Sequence, residues 1–249
     1  MALFSSSSRS FGPLPRLRQL LAAAALVSLP ACDIGEVDGN GDRVDERRDA
    51  VTFARVSSDA DVDVKIVQGD EPSVVVSIDE NLQELVTTRV VGDVLQIDTR
   101  EDIGERVSGP HVLITVPVLS AAKLSGSGSV RAELDQHERA FDLFLEGSGV
   151  MTFRGHAAAV GAYLSGSGDI RLEGETGDVD IDLSGSGSVR GKSLLAESGR
   201  IELSGSGDVS ATVATSVVVS LSGSGQIDLY GDASVDGYEH SGSGDITQH

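Results

Sequence analysis

From residue 124 onward the chain repeats a seven-residue element, Leu-Ser-Gly-Ser-Gly-x-(Val/Ile). Copies run Leu124–Val130, Leu164–Ile170, Leu183–Val189, Leu203–Val209 and Leu221–Ile227. A shortened copy runs Leu145–Val150, and in a last one, ending at Ile246, His240 replaces the leucine. Successive first positions are 21, 19, 19, 20, 18 and 19 residues apart. A period of this length is the mark of a solenoid, whose units bury their apolar faces only by stacking on one another.

Each copy is bracketed by strict alternation, as in Val179-Asp180-Ile181-Asp182-Leu183 before a corner and Ile170-Arg171-Leu172-Glu173 after one. Period-two patterns are half-buried strands. One coil is therefore a strand, a Ser-Gly-Ser-Gly corner, a second strand and a turn such as Gly174–Gly177. Parallel coils at about 4.8 Å would set like residues on like. An antiparallel meander with hairpin turns at the corners is the alternative. Apolar residues are 39%, aromatics 4%, and Trp is absent, so the core is expected in thin layers of Val, Ile, Leu and Ala.

Four segments are expected. Residues 1–31 read as a lipoprotein signal peptide: Arg9, Arg16 and Arg18 precede an apolar run, Leu20–Leu29, too short to span a bilayer. Leu29-Pro30-Ala31-Cys32 resembles a bacterial lipobox, with Cys32 as the lipidated residue. Residues 32–49 read as the lipid-anchored Cys and a flexible acidic tether, since no apolar period occurs there. Residues 50–123 are expected to form an N-terminal β module, with strands around Val62–Ile66, Val74–Ile78, Val94–Asp98 and Val112–Pro117 and a helical turn in Glu80–Leu85. Residues 124–249 are the repeat coils. The expected address is a bacterial cell envelope, on the periplasmic side of the inner membrane or at the outer membrane. Asp33 resembles an inner-membrane retention signal.

The upstream motifs have a family likeness. Phe53-x-x-Val56, QGDEPSVVV (68–76), DENL (79–82), the Gly92–Ile97 strand, ITVP (114–117) and LSGSG (124–128) occur in order. They resemble the GIN-domain family of auto-transporter adhesin heads over about residues 50–249. The resemblance implies an all-β, right-handed parallel β-helix-like solenoid at a bacterial surface, and it brings no catalytic residues. No membrane-barrel sequence follows the last repeat, so an autotransporter in itself is not expected.

The chemistry is sparse. Without the first 32 residues, 16 basic residues face 39 acidic ones, a net of −23. Such a surface repels phosphate backbones and anionic headgroups, which argues against nucleic acid and charge-driven membrane adsorption. No Gly-x-Ser-x-Gly elbow or phosphate loop occurs, and His111, His137, His156, His240 and His249 lie far apart in the chain. Two rows are candidates for binding. After the last corner glycine stand Ser129, Asp169, Ser188, Asp208, Gln226 and Asp245, so Asp169, Asp208 and Asp245 are the candidate calcium ligands. Calcium-binding β-rolls repeat every nine residues, which favours a corner-capping Ser/Asp ladder and no metal. Two positions further on, Arg131, Met151, Arg171, Arg190, Ser210, Asp228 and Thr247 are expected to point outward. Arg131, Arg171 and Arg190 could contact an anionic glycan or pair with acids such as Glu133 and Glu173. The expectation is a non-enzymatic, cofactor-free envelope protein that adheres, binds or builds, its partners a membrane through the lipid and an envelope polysaccharide or protein. A pectinase-like enzyme and a self-associating homo-oligomer are the alternatives.

Overall fold

A computed structural model gives the fold and describes residues 36–49, 51–101, 103 and 111–249. The expected signal peptide, Cys32 and the start of the tether lie outside the described residues. The short strands are β1 (Arg43–Arg48), β2 (Arg55–Ser58), β3 (Asp63–Gln68), β4 (Ser73–Asp79), β5 (Val86–Val91), β6 (Val94–Thr99), β7 (His111–Val116) and β8 (Ala121–Leu124). Five long ones follow, each nearly a whole coil: β9 (Ser129–Gly147), β10 (Val150–Gly166), β11 (Asp169–Gly185), β12 (Ser188–Gly205) and β13 (Asp208–Gly223). The next coil is split into β14 (Gln226–Tyr230) and β15 (Ser234–Gly242), and β16 (Asp245–Gln248) begins another, stacked on β14. The expected helical turn is a single 3₁₀ turn, Glu80–Leu82.

Neighbouring coils pair in parallel from β8 and β9 through β16, giving a β-solenoid of about 7 turns of ~19 residues. The antiparallel meander is thereby excluded. Each long strand bends halfway and serves two faces. The first half of β9 pairs with β3 and its second half with β8. Face A therefore runs β1-β4-β7-β3 and on through the first halves of the coils, and face B runs β5-β6-β2-β8 and on through the second halves.

Apolar residues meet between the faces in registered rows. Val130, Met151, Ile170, Val189, Val209 and Ile227 form one row, and Leu145, Leu164, Leu183, Leu203 and Leu221 another. All of these are buried, and each such side chain contributes about 1.5–3 kcal/mol on leaving water. Met151 thus faces the core, not the solvent. The shortened copy Leu145–Val150 offsets the ladder, so Thr152 stands opposite Arg131 and Arg171.

The upstream residues join the same core, which is continuous from Phe53 to Ala233. Their stacking order differs from their chain order. The turn formed by β2 and β3 lies between the β6–β7 turn and the β8–β9 turn. Antiparallel strands close this end: β4 pairs with β7, β1 with β4, and β5 with β6. Residues 43–48 are therefore strand, which corrects the tether reading there. The alternation that normally signals a strand is missing because β1 is a largely exposed edge. Its hold is the ladder to β4, the Gln83 amide donating to Val44 O at 2.9 Å, and Arg48 donating to Gln83 O at 2.8 Å.

The corners explain the Ser-Gly-Ser-Gly element. Gly185 has φ +144°, and a Cβ there would collide with the backbone of Gly166 one coil away. A Cβ on Gly187 would meet the Gly168 carbonyl and Leu164 Cδ2. The corner is close-packed backbone on backbone, held by bonds such as Ser186 N–H to Gly166 O at 3.0 Å.

Candidate functional site

The residues singled out in the sequence fall on face A. The row Ser129–Val150–Asp169–Ser188–Asp208–Gln226–Asp245 is stacked in register. Its acids are each separated by a neutral residue, so they lie two coils, about 9.6 Å, apart. Calcium holds its oxygen ligands at 2.3–2.6 Å, and no two of Asp169, Asp208 and Asp245 can share one ion at that spacing. Asp169 is also committed elsewhere. It accepts from the Ser188 hydroxyl and from Arg190 Nη1 at 3.1 Å, with Arg171 Nη2 at 3.6 Å. Burial alone would raise its carboxyl, but the Ser188 and Arg190 hydrogen bonds and the two guanidinium charges hold it below the usual range.

Arg171 and Arg190 therefore share one carboxylate, which leaves the trio one positive charge in excess. Of the acids expected as their partners, Glu133 instead pairs with Lys65 and Glu173 with Arg154. Arg131 is brought beside Lys65 in the ladder and shares with it a shallow depression that Leu113 and Val112 also line.

Face B carries the better-formed site. Its outer surface holds Asp142, Gly161, Asp180 and Arg200 in one registered row, and Phe144, Tyr163, Asp182 and Glu202 in the next. Gly161 leaves a groove of about 500 Å³ between the flanking side chains, and Gly199 also lines it. A Cβ on Gly161 would press on the Asp142 carboxylate and the Tyr163 ring, so a larger residue would displace both side chains. Phe144 and Tyr163 stack nearly coplanar, with centroids 4.9 Å apart and planes at 13°, and Phe144 stays 36% exposed. The Tyr163 hydroxyl donates to Asp180 Oδ2 at 3.1 Å.

Charge is crowded here. Burial, then the Asp180 charge, pushes Asp142 up. Burial, then the Glu202 and Asp180 charges, pushes Asp182 up against the pull of Arg200. The Tyr163 phenol rises to about 12 through burial, the charge and hydrogen bond of Asp180, and the charges of Asp142 and Asp182. The site is thus a pair of stacked rings beside hydrogen-bond acceptors that carry more negative charge than they tolerate easily.

The sequence profile of the family described as "Putative auto-transporter adhesin, head GIN domain" matches residues 52–233. The chain belongs to that family. Solved structures agree at the level of fold. A "putative adhesin" from Bacteroides fragilis superposes with a TM-score of 0.75 at 17% identity, covering 86% of this chain and 100% of that one. A "putative lipid binding protein" from Parabacteroides distasonis gives 0.61 at 20% identity, with coverages of 86% and 100%. A "putative adhesin" from Parabacteroides merdae gives 0.58 at 18%, with 86% and 99%. No curated protein sequence matches the chain.

Sequence reading missed the face B groove because its residues occupy the polar positions of ordinary strands. The aromatic pair left one signal: Phe144 and Tyr163 stand where other coils carry Asp182, Glu202 and Ser220. The fold also corrects the reading of scattered histidines. His137 and His156 are 19 residues apart, one coil, and their rings stack at 4.7 Å.

Proposed function

We propose that this GIN-domain protein is a non-catalytic, lipid-anchored adhesin of a bacterial envelope that binds a glycan in the groove of face B. The observation that carries the reading is Tyr163 with Asp142 and Asp180 lining that groove, its ring stacked on Phe144, which lines an adjoining depression with Asp182. Flat apolar ring faces suit the C–H faces of a sugar, and a few placed acceptors suit its hydroxyls. The raised carboxyls of Asp142 and Asp182 favour a neutral or amino sugar over an anionic one, since donors and cations relieve the crowding. The lipobox at Cys32 supplies the membrane attachment in this reading, and two or more acyl chains make such an anchor stable. A net charge of −20 sets nucleic acid aside as a partner.

One observation favours a second reading, a glycan-cleaving enzyme. The groove sets Asp142, with its raised carboxyl, two coils from Asp180, and paired carboxylates are the usual means of glycoside hydrolysis. The test uses the purified full chain in detergent with peptidoglycan, lipopolysaccharide, and neutral, amino-sugar and acidic polysaccharides, scoring both retention and chain length. Retention with intact chains supports the adhesin. Shortened chains replace it with the enzyme. No retention on any glycan contradicts both.

A further inference from the structure

The longest coil, 21 residues, carries its extra length at one place. The β9–β10 ladder pairs Gln136 with Ala157 and resumes at Ala140 with Ala159, so His137–Arg139 bulge out of the register. The bulge lays the His137 ring over that of His156, with centroids 4.7 Å apart and planes at 26°. Both rings aim a nitrogen at the same carboxylate oxygen: His137 Nε2 and His156 Nδ1 are each 3.0 Å from Asp135 Oδ1. Asp135, His156 and Glu175 occupy one registered row across three coils. Glu175 Oε2 lies 4.0 Å from Nε2 of His156, the nitrogen that does not face Asp135.

We propose that Asp135, His137 and His156 form a binding site for a borderline divalent cation of the zinc type. The three ligand atoms lie within 4.8 Å of one another. In a tetrahedral site with bonds of 2.0–2.1 Å, ligand atoms are about 3.3 Å apart. The two 3.0 Å separations therefore need to open by a few tenths of an ångström, which exposed side chains accomplish by small rotations. Two imidazoles and one carboxylate suit zinc, copper or nickel, whereas calcium and magnesium prefer all-oxygen sets. Glu175 lies on the side of His156 away from Asp135; at 4.0 Å it makes no hydrogen bond, and an approach of about 1 Å would let it take the free N–H of a metal-bound histidine, the outer contact that fixes the tautomer and raises basicity. With three protein ligands and a side-chain exposure of 39–69% across the ligand set, the remaining position is open to water or to a donor from outside. Nothing on the groove of face B is shared, because none of these four residues lines it. A metal here would staple the 21-residue coil to its neighbour and hold an open coordination position at the surface.

The test is titration of the metal-free full chain, carrying no polyhistidine tag, with Zn²⁺ by calorimetry and with Co²⁺ by its visible absorption bands. The expected result is one site per chain whose affinity drops at least tenfold in His137→Ala and in His156→Ala and disappears in the double variant. Glu175→Gln weakens it about tenfold, the low end for loss of such a carboxylate partner. Asp208→Asn, on face A, leaves it unchanged. Far-ultraviolet circular dichroism of each variant separates loss of binding from loss of fold, and His156→Gln serves if His156→Ala unfolds. Absence of a Zn²⁺ site in the wild-type chain overturns the proposal, and so does equal binding by the wild type and the double variant.

Discussion

Replacing Gly185 with alanine tests whether the Ser-Gly-Ser-Gly corners are packed backbone. At φ +144° an alanine occupies a region that L-residues rarely adopt, at a cost on the order of 1–3 kcal/mol. Its Cβ would also overlap the Gly166 carbonyl and sit about 3.1 Å from the Gly166 amide nitrogen. Those are atoms of a ladder, not the free end of a side chain, so they cannot swing aside, and such overpacking costs about 1–3 kcal/mol more. The sum is about 2–6 kcal/mol. At roughly 2–4 °C per kcal/mol for a chain of this size, the thermal midpoint falls by about 12 °C near the middle of that range. Ser186→Ala, one residue along, is the control. Ser186 is exposed and its hydroxyl meets only the Ser206 hydroxyl, at 3.4 Å, so its loss stays within about 0.5 kcal/mol. Thermal unfolding followed by circular dichroism reads both. A Gly185→Ala midpoint within 2 °C of that of Ser186→Ala would refute close packing at the corners.

Other consequences are equally concrete. Leu183→Ala empties one place in a fully buried row and should cost about 2–5 kcal/mol in denaturant unfolding; a loss below 1 kcal/mol would contradict the stacked core. The Tyr163 phenol, raised to about 12 by burial and Asp180, should appear as one late-titrating tyrosine at 295 nm, absent in Tyr163→Phe. Its folded value lies above the ordinary 10.0, so the associated stability is present below pH 10 and is lost as the pH rises towards about 12; unchanged stability across that window would contradict it. The Asp169 carboxyl is depressed, so its small contribution is present above the ordinary carboxylate range and is lost in acid. Arg190→Ala should move the NMR titration of Asp169 upward while changing stability by under about 1 kcal/mol, as for any exposed pair.

Much of this fold is legible in the chain because the structure is periodic in the same register as the sequence. Leu164, Leu183 and Leu203 announce a stacked row simply by their spacing, and the parallel ladder follows from like meeting like. What the chain conceals is the stacking order at its upstream end. Residues 55–68 are sandwiched between two later segments, and alternation inside a strand says nothing about which strand lies beside it. The edge strand β1 is hidden for a different reason: with little buried on either side it carries no apolar period. Met151 was expected outward because counting from the corner assumes a full-length copy, and the copy at 145–150 is one residue short. The groove and the histidine cluster were illegible by the same logic. That Asp142 and Asp180 flank Gly161, or that Asp135 lies beside His156, follows only once the coil length at each position is known, and the bulge at His137–Arg139 changes that length by two residues.

The most direct test of the adhesin reading is the affinity of the full chain for the envelope polysaccharide that retains it, compared between the wild type, Tyr163→Ala and the Arg171→Ala/Arg190→Ala pair. The face B groove predicts a five- to tenfold loss for Tyr163→Ala, equivalent to about 1–1.4 kcal/mol, and little change for the arginine pair, which lies on face A and is already engaged by Asp169. Full binding by Tyr163→Ala with loss in the arginine variant would contradict the account and move the ligand to the opposite face of the coils.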